Sequence, residues 1–224
     1  MMGIHDGHRD RLRERFTKYG LQGFNEINAL ELLLFYAIPR KDTNPIAHEL
    51  LKKFGNLQGV FAASVEELKE VTGISSSSAA LIRLVPELCK LAKVSEVSAI
   101  NGITNSSMAS AYVIPRFMFD ENEKVIMLCL DSAKKVKSCT EIGSGVVNTV
   151  DLNIRLIVET ALKNKASSVI LAHNHPDGDV RPSREDIETT KRIRDSLKLV
   201  DIPLVDHIIV SGTEYFSFCD AGYV

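Results

Sequence analysis

The stretch Ala172-His173-Asn174-His175-Pro176-Asp177-Gly178-Asp179-Val180-Arg181-Pro182-Ser183-Arg184-Glu185-Asp186 decides how the rest of this chain is read. Just upstream, Ser167-Ser168-Val169-Ile170-Leu171 is a short apolar run of strand-forming residues, so His173 and His175 fall at a strand end. Period-two alternation points both imidazoles to one side. Residues 176–182 carry two prolines, a glycine and two acids, which is loop chemistry. Ser183, then Glu185 and Asp186, then Ile187 and Ile193 among charged residues, reads as an N-cap and first turn of a helix over residues 184–197. Asp186 therefore sits near the positive end of that helix.

Two histidines and a carboxylate gathered from a strand end and a helix start supply three ligands to Zn2+ and leave a fourth position for water. Structural zinc sites usually close the tetrahedron with cysteine, and no cysteine lies near this loop. A bare H-x-H is more often a strand end, and an acid at this position a helix-start acid; the spacing separates the readings. Ten residues lie between His175 and Asp186, and Ser183 stands eight positions after His175. The run resembles the JAMM signature of the JAB/MPN+ metalloproteases, H-x-H-x7-S-x-x-D, with every defining position filled. The flanks at 171–176 and 182–187, and the late Ile202-Pro203-Leu204-Val205-Asp206-His207-Ile208-Ile209-Val210, resemble the RadC-like (UPF0758) branch, whose members are often labelled DNA repair proteins.

That resemblance implies a JAB/MPN-type, cytidine-deaminase-like mixed β-sheet domain with helices. It also implies one Zn2+ per chain on His173, His175 and Asp186, and a peptide or isopeptide substrate. The Ser183 hydroxyl would support the developing oxyanion, and a glutamate on an earlier strand would be the general base. Two glutamates are weighed for that base. Glu141, in Thr140-Glu141-Ile142-Gly143-Ser144-Gly145-Val146-Val147-Asn148, matches the glutamate before the family's R-G-T-x-N segment, with Ser144 and Val146 replacing the arginine and threonine. Glu159 lies on a helix with Arg155 and Lys163 four residues away, which gives it an ion-pair explanation. Glu141 is the choice. Asp206 and His207 are candidates for support behind the ligands, since a carboxylate behind a ligating histidine fixes its tautomer. A third-ligand role for His207 stays open beside a structural one at a strand edge.

The first part of the chain reads as helical. His5, His8, Arg9, Arg11, Arg13, Arg15 and Lys18 make a basic opening helix, residues 28–38 are apolar nearly all round, and residues 46–54 carry one apolar stripe ended by Gly55. Ser64-Val65-Glu66-Glu67 is a capping box that starts a third helix. Thr72-Gly73-Ile74-Ser75 is a turn, and a fourth helix spans 76–92 with a bend at Pro86. Helix, glycine-containing turn and helix resemble the helix-hairpin-helix module, in which turn N–H groups hold a DNA phosphate. Gly73, Ile74 and Ser75 are then the DNA-binding candidates, with Ser75 standing where the module usually has a second glycine.

Domain limits follow: 1–95 helical, 96–106 a Ser- and Asn-rich linker with the boundary near Asn101, and 107–224 the zinc domain. The latter reads as a helix over 107–119 interrupted at Pro115, strands at 125–130 and 136–142, a helix at 153–163, and final strands at 204–210 and 215–218. The fold class is α/β in the mixed sense.

Composition narrows the function classes. Lys+Arg 27 against Asp+Glu 29 gives a net charge of −2, so any nucleic-acid contact is local. Four cysteines without C-x-x-C spacing read as reduced, mostly buried thiols of a cytoplasmic protein. The start of the chain has no apolar core of a signal peptide, and no apolar run reaches spanning length, so neither secretion nor membrane insertion is expected. Oligomeric state is not legible.

Overall fold

The computed structural model describes residues 6–100, 102–145, 153–176 and 178–224. It divides into two units, Met1–Cys89 and Lys90–Val224. The first is helical: α1 (Asp6–Tyr19), α2 (Glu26–Leu34), α3 (Asn44–Phe54), α4 (Leu57–Ala62), α5 (Val65–Lys69) and the start of α6 (Ser76–Ser98). Leu30, Leu34, Leu50, Val60, Leu68 and Ile82 form its core. Buried Glu31 is met by His8 Nε2 at 3.0 Å and by the Asn44 amide at 3.2 Å, which ties α1 and α3 to α2.

Three differences from the sequence reading have local causes. The apolar run at 28–38 is helical only to Leu34, where Phe35 becomes the C-cap, and residues 35–37 continue as turns into a bend at Ile38. Helix α4 was not expected; it has six residues, too few to show a period, and is started by the Asn56 side chain accepting from Gly59 N–H at 2.8 Å. Helix α6 runs past buried Pro86 to Ser98, so residues 96–98 of the expected linker are helical. Local bonds hold that polar end, Lys93 to Glu96 at 3.1 Å and the Ser98 hydroxyl to the Val94 carbonyl at 2.6 Å. Asn101 lies outside the described residues, as does His5.

The second unit is a mixed α/β domain around a five-stranded sheet of order β2-β1-β3-β4-β5. Its strands are β1 (Lys124–Leu130), β2 (Val136–Ser144), β3 (Ser168–Asn174), β4 (Leu204–Ser211) and β5 (Glu214–Ser217). β3 and β4 pair in parallel, and the other three pairings are antiparallel. All of β3 is buried because both faces are covered, which is why it reads as an unbroken apolar run. Helix α7 (Ser106–Val113) and a 3-10 turn at Ile114–Phe117 pack Ala109, Val113 and Phe117 on one face, against Ile126, Leu128, Ile170 and Ile208. Helices α8 (Ile154–Lys163) and α9 (Arg184–Lys198) pack Ile157, Ala161, Ile193 and Leu197 on the other, against Val125, Met127, Val169 and Leu171.

The cysteines depart from expectation: all four are free, but only Cys129 is buried, and Cys89, Cys139 and Cys219 are exposed. Cys139 is on edge strand β2, where Lys137, Cys139 and Glu141 alternate outward. No helix among the described residues is long and apolar enough to cross a membrane.

Candidate metal centre

Strand β3 ends at Asn174 and α9 starts at Arg184 on the way to parallel β4, so its carboxyl end and a helix N-terminus meet, where α/β sheets commonly gather ligands. His173 and His175 come from the first and Asp186 from the second, and their ligating atoms all lie within 4.8 Å of one another. His173 Nε2 is 3.4 Å from Asp186 Oδ1, and His175 Nε2 is 3.7 Å from Asp186 Oδ2. The His173 and Asp186 side chains are each 3% exposed and His175 is 17% exposed, so the trio is open on the His175 side.

The two Nε2 atoms stand 3.0 Å apart, while His173 Nδ1 is engaged by His207 Nε2 at 2.8 Å and His175 Nδ1 donates to the Asp179 carbonyl at 2.6 Å. A carbonyl only accepts, so neutral His175 presents a bare Nε2 lone pair to the trio. Two nitrogens and a carboxylate oxygen converging on one point, with the outer nitrogens already used, fit a zinc ion with one position left over.

Burial pushes His173 down to about 4, with the His175 charge adding to it and Asp186 opposing it. His175 is raised by its contact with Asp186, against burial and with help from the Asp179 carbonyl and the charges of Asp186 and Glu123. Burial opposes the Asp186 charge, yet the two histidines and the Ser183 hydroxyl and N–H hold that carboxyl well below the usual range. His207 is pushed well below its ordinary value by burial first.

Ser183 is the N-cap of α9: its N–H and hydroxyl donate to Asp186 Oδ2 at 2.8 and 2.6 Å, and it accepts from Asp186 N–H at 3.0 Å. The structure does not bring Glu141 to the trio. Glu141 pairs with Ile126, whose side chain packs on the α7 face, whereas His173 pairs with Val125 on the α8/α9 face; residues opposite each other share a face, and Glu141 is exposed. Val146, Val147 and Asn148, used in that choice, lie outside the described residues. Glu159 is exposed and bonded to Arg155 at 2.6 Å, the ion pair its spacing implies. Asp206 is corrected as well: its carboxylate accepts from His207 N–H at 2.7 Å, Cys219 N–H at 3.0 Å and the Ser217 hydroxyl, and touches no imidazole. Alternation puts it on the α7 face, beside a cavity of about 210 Å3 that none of the trio lines. His207 is not at a sheet edge; β4 is an inner strand, and the ring is buried against His173.

A glutamate near the trio that the sequence reading did not weigh is Glu123. The β1/β3 register ends with Val125 opposite His173, and Glu123, two residues before Val125, lies close enough to His175 for its charge to help raise that imidazole. Asn174, between the histidines, clamps the backbone on both sides of it: Lys124 N–H donates to Asn174 Oδ1 at 2.7 Å, and the Asn174 amide donates to the Asn122 carbonyl at 3.1 Å. Sheet order is the missing signal, because only a β1 paired with β3 faces 123 toward 175.

In the helical unit the DNA-binding candidates have internal uses. Gly73 has φ +98°, and a Cβ there would meet Ile46 Cδ1 at 2.8 Å. Ile74 N–H donates to the Val71 carbonyl at 3.0 Å and Ser75 N–H to Ser78 Oγ at 2.7 Å. Arg9 and Arg13 lie over the Phe35 ring and Arg15 over Phe24, so part of the basic opening helix is holding α1 in place.

Comparison with known families agrees with the architecture. Residues 103–223 match the model described as RadC-like JAB domain, and residues 6–80 match UPF0758 N-terminal. A UPF0758 protein of Fusobacterium nucleatum is 37% identical over 225 residues, covering 97% of this chain and 97% of its own length. A UPF0758 protein of Legionella pneumophila is 31% identical over 217 residues, covering 97% and 96%.

Proposed function

Because the chain belongs to the UPF0758 family and carries that family's RadC-like JAB domain, we propose that it is a zinc-dependent hydrolase of peptide or isopeptide bonds. The observation that carries this reading is the convergence of His173, His175 and Asp186 at the β3–α9 junction. Zn2+ held there supplies a Lewis acid that lowers the pKa of water toward neutrality.

The remaining work falls to the chain. Glu123, whose charge reaches His175 from outside the ligand set, takes the water's proton and returns it to the leaving amine. Asn174 fixes the backbone that carries it. Ser183 keeps Asp186 oriented through its N–H, which leaves its hydroxyl able to turn toward the substrate's developing oxyanion at the loss of one bond. Substrate enters from the His175 side, the exposed edge of the trio.

The purified chain, assayed on a panel of fluorogenic peptides and isopeptide-linked conjugates, tests the proposal. Cleavage should vanish after dialysis against a chelator and return with added Zn2+. Cleavage that survives metal removal, or a zinc-loaded protein that hydrolyses no member of the panel, would overturn it.

A further inference from the structure

We propose that Thr190 and His207 form a buried positioning relay that fixes His173 as its Nδ1–H tautomer and so keeps the Nε2 lone pair aimed into the trio. Its consequence rests on the metal reading above; its geometry does not.

The direction of every proton in the relay follows from its far end. The Asp186 carbonyl has no proton to give, and the Thr190 hydroxyl lies 2.6 Å from it and donates to it. That uses the only hydroxyl proton. His207 Nδ1, 2.7 Å from the same Thr190 oxygen, must then be the donor in their contact. A neutral imidazole with a proton on Nδ1 has only a lone pair on Nε2, and the His207 ring is 2% exposed and, among the described residues, has no carboxylate in hydrogen-bond contact. Its Nε2 therefore accepts from His173 Nδ1–H at 2.8 Å. His173 is left with a bare Nε2, 3.4 Å from Asp186 Oδ1 and 3.0 Å from His175 Nε2.

Reversing the relay fails twice. Thr190 would point its proton at His207 and leave two acceptor oxygens 2.6 Å apart. His207 Nε2–H would then push the His173 proton onto Nε2, into the place where a cation must bind. The ring that transmits this is held flat against Phe218, with centroids 4.8 Å apart and planes 20° from parallel. Thr190 lies one helical turn after Asp186, so one residue of α9 anchors the relay by its carbonyl and offers a ligand by its carboxylate.

Two measurements on the full chain decide it. Long-range nitrogen NMR of the metal-free protein near pH 8 should show His173 protonated at Nδ1 and not at Nε2. In competition with a chromophoric chelator, Thr190→Val should bind Zn2+ about tenfold to a hundredfold more weakly than the wild type, the range for losing a partner behind a ligand. Thr190→Ser keeps the hydroxyl and should bind as the wild type does, which a merely space-filling role would not require. His173 protonated at Nε2 overturns the relay. So does a folded Thr190→Val with unchanged affinity, or a Thr190→Ser as weak as Thr190→Val. A wild type that takes up no Zn2+ would instead refute the metal reading, and the tautomer measurement would still judge the relay.

Discussion

Two helix starts in this molecule are built alike. At α5, Ser64 gives its N–H and hydroxyl to Glu67 Oε2 at 2.8 and 2.7 Å and accepts from Glu67 N–H at 3.2 Å. At α9, Ser183 and Asp186 repeat the same three bonds at 2.8, 2.6 and 3.0 Å. The α5 box faces solvent, and among the described residues its carboxylate belongs to no cluster of metal-ligating groups. In the α9 box Ser183 is exposed, but Asp186 is buried at the end of β3, and aspartate's second oxygen is turned to His173. A capping motif thus starts a helix wherever it occurs, and becomes a site only where the tertiary fold sets histidines against it.

The widest separation between the two boxes is in metal binding. Asp186→Asn keeps the size and the cap but loses the anionic ligand, and should weaken Zn2+ binding by more than about a hundredfold, beyond the range for supporting partners. Glu67→Gln should leave the Zn2+ affinity unchanged. A chelator-competition titration of both variants measures the contrast, and an Asp186→Asn protein with wild-type affinity would break it.

Next in size is turnover, where the two faces of the sheet are compared instead. Glu123→Gln should lower hydrolysis by about a hundredfold or more, the scale for removing a general base, while Zn2+ content stays the same. Glu141→Gln, on the α7 face, and Glu159→Gln, in an exposed helix pair, should each change it little. The reverse ranking of Glu123 and Glu141 would mean that the β1/β2 register is not the one that acts.

These contrasts show what the sequence could and could not carry. The trio was legible because its members sit within one strand-loop-helix run, where local spacing alone determines how they meet. The α7 break at Pro115, the span of α8 and the mixed strand pattern were legible for the same reason. Glu123 was not, because its partner lies fifty-two positions on and only the antiparallel pairing of β1 with β3 brings them together. A β-bulge hid the fate of Glu141: between Val125 and Ile126 the register shifts by one, and a one-residue shift exchanges the faces. His207 was named as support behind the ligands, and it stands on His173 Nδ1; Thr190 was obscured, since a threonine inside a helix carries no local mark of being the neighbour of a histidine inside a strand.

The smallest expected effect concerns the α5 box itself, through its pH dependence. The Ser64 hydroxyl and N–H hold the Glu67 carboxyl below its ordinary value of 4.5, with Lys53 adding to them. A carboxyl depressed in the folded state binds fewer protons there than in the unfolded chain. Its stabilisation is therefore complete above 4.5 and is lost as pH falls through the lower folded value. Ser64→Ala keeps the backbone N–H but removes the hydroxyl, so it should lower the unfolding midpoint of the chain most near neutral pH, where losing a serine cap typically costs about 1 kcal/mol. Near pH 3 the difference should shrink to the part carried by the lost acceptor for Glu67 N–H. Zn2+ affinity and hydrolysis should not move at either pH. Urea unfolding of the two proteins at both pH values tests this, and a difference that stays constant with pH would show that the ionised Glu67 carboxylate is no part of what the cap contributes. The α9 box admits no such simple titration, because there two imidazoles and the Ser183 cap share one buried carboxylate.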